Sequence, residues 1–108
     1  MLLSSPSKIL AATVLPDQRS FVLTYSTAEG PLEVFVTSSW PDGVHGYMTP
    51  YIRSQVSGER SELPWAMAES LGEELLPLTN AVDIAGDGQI VARACVEAIL
   101  HGKRVGSN

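Results

Sequence analysis

The sequence predicts an α+β domain in which an antiparallel meander of three or four strands is covered on one face by two C-terminal helices. Alternating apolar and polar residues, joined by short turn-forming connections, run through the first third of the chain. Two segments with helical periodicity and marked ends follow later. Because a meander has one apolar face that needs a cover, the helices are expected to supply it.

Three strands are predicted in the N-terminal third. The first covers residues 8–15 and stops at Pro16, which presets its own φ for a turn. The second covers residues 21–25, and the third covers residues 32–37, where apolar residues occupy alternate positions. The second and third strands are therefore expected to bury one face and expose the other.

Residues 38–60 are the least regular part of the chain. They show no sustained periodicity, although residues 51–56 alternate well enough to form a fourth strand. That strand would shorten the irregular part to a loop of ordinary length. Among the Gly and Pro residues of this segment stand several side chains suited to binding or catalysis: Trp40, His45, Tyr47, Tyr51 and Arg53.

A first helix is predicted to begin near Glu62, with Ser61 as its N-cap and Pro64 in its first turn. It is expected to end at about Leu76, because Pro77 cannot continue it. Its apolar residues recur at spacings of three and four: Met67, Ala68, Leu71, Leu75 and Leu78. The segment therefore predicts an amphipathic helix.

A second helix is predicted from an Asp87 N-cap to about His101, with Gly102 as the C′ residue. Its polar residues form one narrow stripe: Gln89, Arg93, Glu97 and His101. A helix that is apolar on most of its circumference is either buried between other elements or covered by a second chain. We expect partial burial together with a homodimer contact.

The chain is expected to be one domain, residues 1–108, with flexible tails at residues 1–7 and 103–108. Cys95 is the only cysteine and cannot form an internal disulfide, which favours a reducing, cytoplasmic location. No apolar stretch is long enough to cross a bilayer, so a membrane-spanning segment is not expected.

Charge is distributed unevenly along the chain. The formal net charge of −5 argues against direct nucleic-acid binding, which usually relies on Lys and Arg to neutralise phosphates. Residues 61–92 contain six acidic residues and no Lys or Arg. Within them, Glu73 and Glu74 lie near the C-terminal end of the predicted helix, where negative charge opposes the helix dipole. Helix stability does not explain these two residues.

Two loop motifs are incomplete. Residues 83–88 partly match a calcium-binding loop, but Ala85 and Ala94 stand where ligands are needed. The same Gly-Asp-Gly lacks the Lys of a phosphate-binding loop and places Asp87 where a phosphate would sit. The segment is expected to be a tight turn before a helix, and no cofactor is predicted.

Neither a metal site nor a catalytic site is well supported. His45, Cys95 and His101 match no standard zinc spacing. His45, with Asp42 nearby, has residue types used in acid–base catalysis. However, no recognisable nucleophile motif such as G-x-S-x-G accompanies it. No catalytic and no metal-binding residue is predicted.

The favoured hypothesis is a non-catalytic binding protein, possessing the charge and size of an inhibitor or immunity-type protein that occludes a basic, nucleic-acid-binding surface. Its partner is expected to be a basic protein. The predicted partner-binding residues are acidic and aromatic: Glu62, Glu69, Glu73, Glu74, Asp83, Trp40, Tyr47 and Tyr51. The alternative is a small-molecule-binding protein or enzyme with a pocket around His45, Tyr47, Tyr51 and Arg53.

Overall fold

The computed structural model describes residues 5–16, 20–37, 49–81 and 87–106. The described part forms five strands, two α-helices and a short 3₁₀ segment. In chain order these are β1 (Lys8–Val14), β2 (Ser20–Thr27), β3 (Gly30–Thr37), β4 (Tyr51–Ser54), β5 (Arg60–Glu62), α1 (Trp65–Leu75), the 3₁₀ segment (Leu76–Ala81) and α2 (Gly88–Gly106).

The strands form one antiparallel sheet in the order β1-β2-β3-β4-β5, so that every strand pairs with its neighbours in sequence. The predicted α+β class, with a meander followed by two C-terminal helices, is confirmed. The sheet has one strand more than the largest number predicted.

The predicted alternation in β2 and β3 matches the observed register. Leu23 pairs with Val34 and Tyr25 pairs with Leu32, and all four side chains are buried beneath the helices. The residues between them point to the other side of the sheet. We call that second side, which no described helix covers, the open face.

The β2–β3 turn requires glycine at its last position. Gly30 has a φ of 116°, and an added Cβ would lie 2.6 Å from Cγ2 of Val56. The Thr27 hydroxyl donates to the Gly30 carbonyl at 2.8 Å and accepts the Glu29 N–H at 3.2 Å. These contacts set the register that places β3 beside β2.

The predicted fourth strand is confirmed, although it is shorter than residues 51–56. It ends at Ser54, whose hydroxyl accepts the backbone N–H groups of Val56 and Ser57, both at 3.2 Å. The chain then reverses through Gly58, which has a φ of 76°. This turn leads directly into β5.

The prediction of a helix beginning near Glu62 with Ser61 as N-cap is wrong. Arg60–Glu62 is a strand that pairs with β4, and α1 begins at Trp65 after Pro64, which has an extended ψ of 146°. Pairing with β4 satisfies backbone groups that a helix turn would otherwise satisfy. The local capping signal at Ser61 therefore yields to the sheet.

The core lies between the covered face of the sheet and the helices. Helix α2 packs on α1 and on strands β1, β2 and β3. The two helices approach closely at Gly72, where a Cβ would lie 2.9 Å from Cδ2 of Leu100. The buried side chains of the helices are Ala68, Leu71, Leu75, Ala92, Cys95, Val96, Ala98 and Ile99.

Helix α2 begins as predicted, directly after Asp87, whose carbonyl accepts the N–H of Val91 at 2.9 Å. It continues to Gly106, so the prediction that Gly102 is the C′ residue is wrong. Residues 103–106, expected to lie in a tail, extend the helix. One glycine inside a helix costs only about 1 kcal/mol, which its neighbours in a long helix offset.

The polar stripe of α2 is exposed as predicted, and its other residues up to Leu100, apart from Ile90, are buried or half-buried within the chain. Ile90 is its most exposed large apolar side chain, at 70%. Intramolecular packing thus covers most of the apolar circumference, and the homodimer contact stays a prediction. No helix in the described part is long and apolar enough to span a membrane.

Candidate functional site

The predicted partner-binding residues fall on two separate surfaces. Helix α1 carries Glu69, Glu73 and Glu74, which we call the acidic face. Tyr51 and Glu62 are opposite each other on β4 and β5, on the open face. These five residues therefore lie on different elements, and their contact with a partner stays a prediction. The remaining predicted partner-binding residues, Trp40, Tyr47 and Asp83, lie outside the described residues, as does His45 of the alternative pocket.

The acidic face has no counter-charge in the described part of the chain. Glu69, Glu73 and Glu74 are exposed, and none forms an ion pair with a described residue. The last turn of α1 contains no basic residue. Like charges one turn apart and negative charge at a helix C-terminus each oppose folding by a few tenths of a kcal/mol. Glu73 and Glu74 therefore lie near the C-terminal end of α1, as predicted, where they oppose the helix dipole.

The core contains an unusual tyrosine. Tyr25 is fully buried, and its hydroxyl meets no hydrogen-bond partner among the described residues. Burial, and to a smaller extent the negative charge of Glu74, raise the pKa of Tyr25 above its ordinary value. An unsatisfied buried hydroxyl costs about 1–3 kcal/mol.

The open face carries an ordered aromatic cluster. Phe35 and Tyr51 are cross-strand neighbours whose rings stack with centroids 4.5 Å apart at 11°. The Arg60 guanidinium lies 3.8 Å from the Tyr51 ring centroid, and that of Arg53 lies 5.2 Å from the Phe35 centroid. Because β4 lies between β3 and β5, Tyr51 contacts Phe35 from one neighbouring strand and Arg60 from the other.

The two arginines of this cluster differ in their bonding. Nε and Nη2 of Arg53 donate to Oε1 of Glu33 at 2.9 and 2.6 Å, a cross-strand ion pair. Arg60 stacks on Tyr51 but makes no hydrogen bond or ion pair with a described residue. The N–H groups of Arg60 therefore donate to no described residue and are available to an incoming acceptor.

A groove of about 480 Å³ opens beside Tyr51 on this face. It combines an aromatic wall with one guanidinium, one carboxylate and hydroxyl-bearing residues. Its lining residues are Phe35, Thr37, Thr49, Tyr51, Arg60, Ser61 and Glu62. The volume falls in the range of small-molecule sites, about 300–1,000 Å³.

Of the alternative pocket expected around His45, Tyr47, Tyr51 and Arg53, only Tyr51 and Arg53 are among the described residues. Both side chains lie on the open face, but Arg53 lines a different cleft, beside Glu33 and Gln55. The groove at Tyr51 instead uses Phe35 and Arg60, which the sequence-based selection missed. The sequence did indicate that Phe35 lies on the open face, since it alternates with the apolar residues of β3. Nothing in the sequence indicated that Arg60 lies there, because its segment resembled the start of a helix.

The described residues offer no other reactive centre. No three His, Cys, Asp or Glu side chains among them are placed to hold a metal ion. Cys95 is buried, and burial raises its pKa to about 12, so that the thiol stays protonated at neutral pH. The chain matches no protein-family model, no curated protein and no solved structure, so its function is inferred from the acidic face and the open face.

Proposed function

We propose that the chain is a cytoplasmic, non-catalytic protein-binding module whose acidic face engages a basic partner protein. The supporting observation is that α1 exposes Glu69, Glu73 and Glu74 without an ion pair to any described residue. An inhibitor or immunity-type protein that occludes a nucleic-acid-binding surface needs a charge pattern of this kind.

The energetics favour an intermolecular role for these carboxylates. Each one weakly opposes α1, through like-charge repulsion or the helix dipole. A basic partner surface would remove both penalties on binding. The formal net charge of −5 adds a long-range attraction that accelerates encounter with a positive protein.

The acidic face also has a firm support. On the inner side of α1, Ala68, Leu71 and Leu75 are completely buried, and Gly72 allows α2 to pack closely. A surface held by a packed core changes little on binding and loses little conformational entropy. The core therefore fixes the position of the helix that carries the three carboxylates.

The other predicted contact residues are not part of this argument. Glu62 and Tyr51 lie on the open face, in the groove beside Arg60. Asp83 follows the 3₁₀ segment in sequence and stays a predicted contact. The homodimer through α2 is a separate proposal, for which Ile90 is the available exposed apolar side chain.

The test is a pull-down from cells of the source organism and of its competitors, with washes at low and high salt. The decisive variant is Glu69→Gln, Glu73→Gln and Glu74→Gln together, which removes charge while keeping shape. A matched control removes three exposed carboxylates elsewhere, at Glu29, Glu59 and Glu97. We expect a basic protein that the wild type and the control retain at low salt and the acidic-face variant loses.

Two results would overturn the proposal. One is a partner that the acidic-face variant retains as well as the wild type does. The other is the absence of any salt-sensitive partner. In either case the binding surface is not the acidic face.

A further inference from the structure

We propose that the groove on the open face binds a small zwitterionic ligand of the amino-acid class, with its carboxylate on Arg60 and its ammonium group on Glu62. Both residues line the groove, together with Phe35 and Tyr51. This inference does not depend on the proposed protein partner, because the acidic face lies on α1 and the groove lies on the open face of the sheet.

The guanidinium of Arg60 is positioned to bind a carboxylate. Its guanidinium lies over the Tyr51 ring, 3.8 Å from the centroid, and Tyr51 is itself stacked on Phe35. This contact holds the guanidinium beside the aromatic rings before any ligand arrives, which reduces the entropy lost on binding. The planar N–H fork of arginine matches the two oxygens of a carboxylate. Arg53 is less available to a ligand, because its Nε and Nη2 already donate to Glu33.

Glu62 supplies the complementary charge. It lies two residues after Arg60 on β5, so both side chains leave the strand on the same side. It pairs in register with Tyr51, and it forms no ion pair with Arg60 or any other described residue. A positive and a negative group thus line one groove without neutralising each other.

This pair of charges selects against ligands with a single charge. Glu62 repels a phosphate or a dicarboxylate that approaches Arg60, and Arg60 repels a simple amine that approaches Glu62. A ligand that carries a carboxylate and an ammonium group satisfies both. The rings of Phe35 and Tyr51 provide an apolar wall for its side chain, and the groove of about 480 Å³ accommodates an amino acid or a short peptide.

The probes for the test are leucine and phenylalanine, their N-acetyl derivatives, their amides, and inorganic phosphate. Each derivative removes one of the two charges. Binding to the full chain is followed by titration calorimetry and by backbone amide shifts. We expect the free amino acids to bind about tenfold or more tightly than either derivative, since each charge-assisted contact is lost separately. Phosphate is expected not to bind.

Paired variants connect the effect to the two residues. Arg60→Gln should abolish the preference for the free amino acid over its amide, and Glu62→Gln the preference over its N-acetyl derivative. Arg93→Gln and Glu59→Gln, exposed residues outside the groove, are the controls and should bind as the wild type does. Melting curves of all four variants exclude unfolding as a cause.

Three results would overturn the inference. They are no binding of either amino acid at millimolar concentration, equal binding of the N-acetyl derivative, or full binding by Arg60→Gln. The pull-down of a basic protein is unaffected by any of them, so failure of this site and failure of the acidic face are distinguishable. A dipeptide that binds more tightly than its free amino acids, and that still needs both of its charged ends, would identify short peptides as the source of the ligand.

Discussion

The acidic face and the open face carry charge in opposite ways. On α1, Glu69, Glu73 and Glu74 are like charges with no ion pair to a described residue. On the sheet, Arg53 is bonded to Glu33 and Arg60 is stacked on Tyr51. The unpaired glutamates attract a positive group over a distance and without a preferred geometry. The arginines on the sheet interact at contact distance and in defined directions. The difference suggests a macromolecular partner for the helix and a small ligand for the sheet.

The shared core should give the largest effect. Val96→Asp places an unpaired charge beside Cys95 and Ile99, inside the layer that supports both surfaces. We expect a loss of about 3–5 kcal/mol in the free energy of unfolding, measured by urea denaturation.

Ile90→Asp, on the exposed side of the same helix, is the control for Val96→Asp. It should change stability little, because Ile90 is 70% exposed. Its sedimentation also tests the homodimer, since a dimer through α2 would dissociate in this variant. Unchanged stability in Val96→Asp would contradict the placement of α2 in the core.

Alkaline pH should destabilise the protein through Tyr25 and Cys95. Both pKa values are raised on folding, the latter from 9.0 to about 12. Each group therefore contributes stability that is complete below its unfolded pKa and is lost as pH rises towards its folded pKa. The free energy of unfolding should fall above pH 9, by up to about 1.4 kcal/mol per pH unit for each group.

Two variants separate these contributions, by denaturation at a series of pH values. Cys95→Ala should remove the part that begins near pH 9, and Tyr25→Phe the part that begins near pH 10. Tyr25→Phe should also leave stability at neutral pH unchanged or higher, because it removes an unsatisfied buried hydroxyl. A large loss at neutral pH would show that this hydroxyl has a partner after all.

The aromatic cluster should contribute less than the core. Tyr51→Ala removes the stacking on Phe35 and the contact with Arg60 and should cost about 1–2 kcal/mol on denaturation. Tyr51→Phe keeps both ring contacts and serves as the control. Equal stability of the Ala and Phe variants would mean that the cluster does not order the open face.

The smallest effect is expected on the acidic face, and it has the opposite sign. Glu73→Gln should raise the free energy of unfolding by a few tenths of a kcal/mol, because repulsion from Glu69 and from the helix dipole is relieved. Added salt should raise the stability of the wild type more than that of the variant. A destabilised variant would indicate that Glu73 has a favourable contact within the chain.

The alternation of apolar and polar residues was sufficient to predict a strand wherever one face of the sheet is apolar and the other is polar. Leu32, Val34 and Val36 identify β3 and its buried side, and the same reasoning extends to β4. It fails at β5, where Arg60, Ser61 and Glu62 are all polar and only pairing with β4 defines a strand. The groove was missed for the same reason, because Arg60 reaches Tyr51 only through that pairing.

The helices were easier to predict than their ends. The spacing of Leu71 and Leu75 follows the buried side of α1. The ends of the helices depend on competition between local capping signals and the rest of the fold. Ser61 joins the sheet instead of capping α1, and α2 continues through Gly102 instead of ending there. The glutamates of the acidic face were located correctly because they lie within a helix, where position follows directly from spacing.

The most direct test of the acidic face is the association rate of the captured partner at low and at physiological salt. For the wild type and the control lacking charge at Glu29, Glu59 and Glu97, we predict fast association that slows steeply with salt. For the variant with Gln at positions 69, 73 and 74, we predict slower association with a weaker salt dependence. Identical rates and identical salt dependence for all three proteins would contradict an acidic face that guides a basic partner.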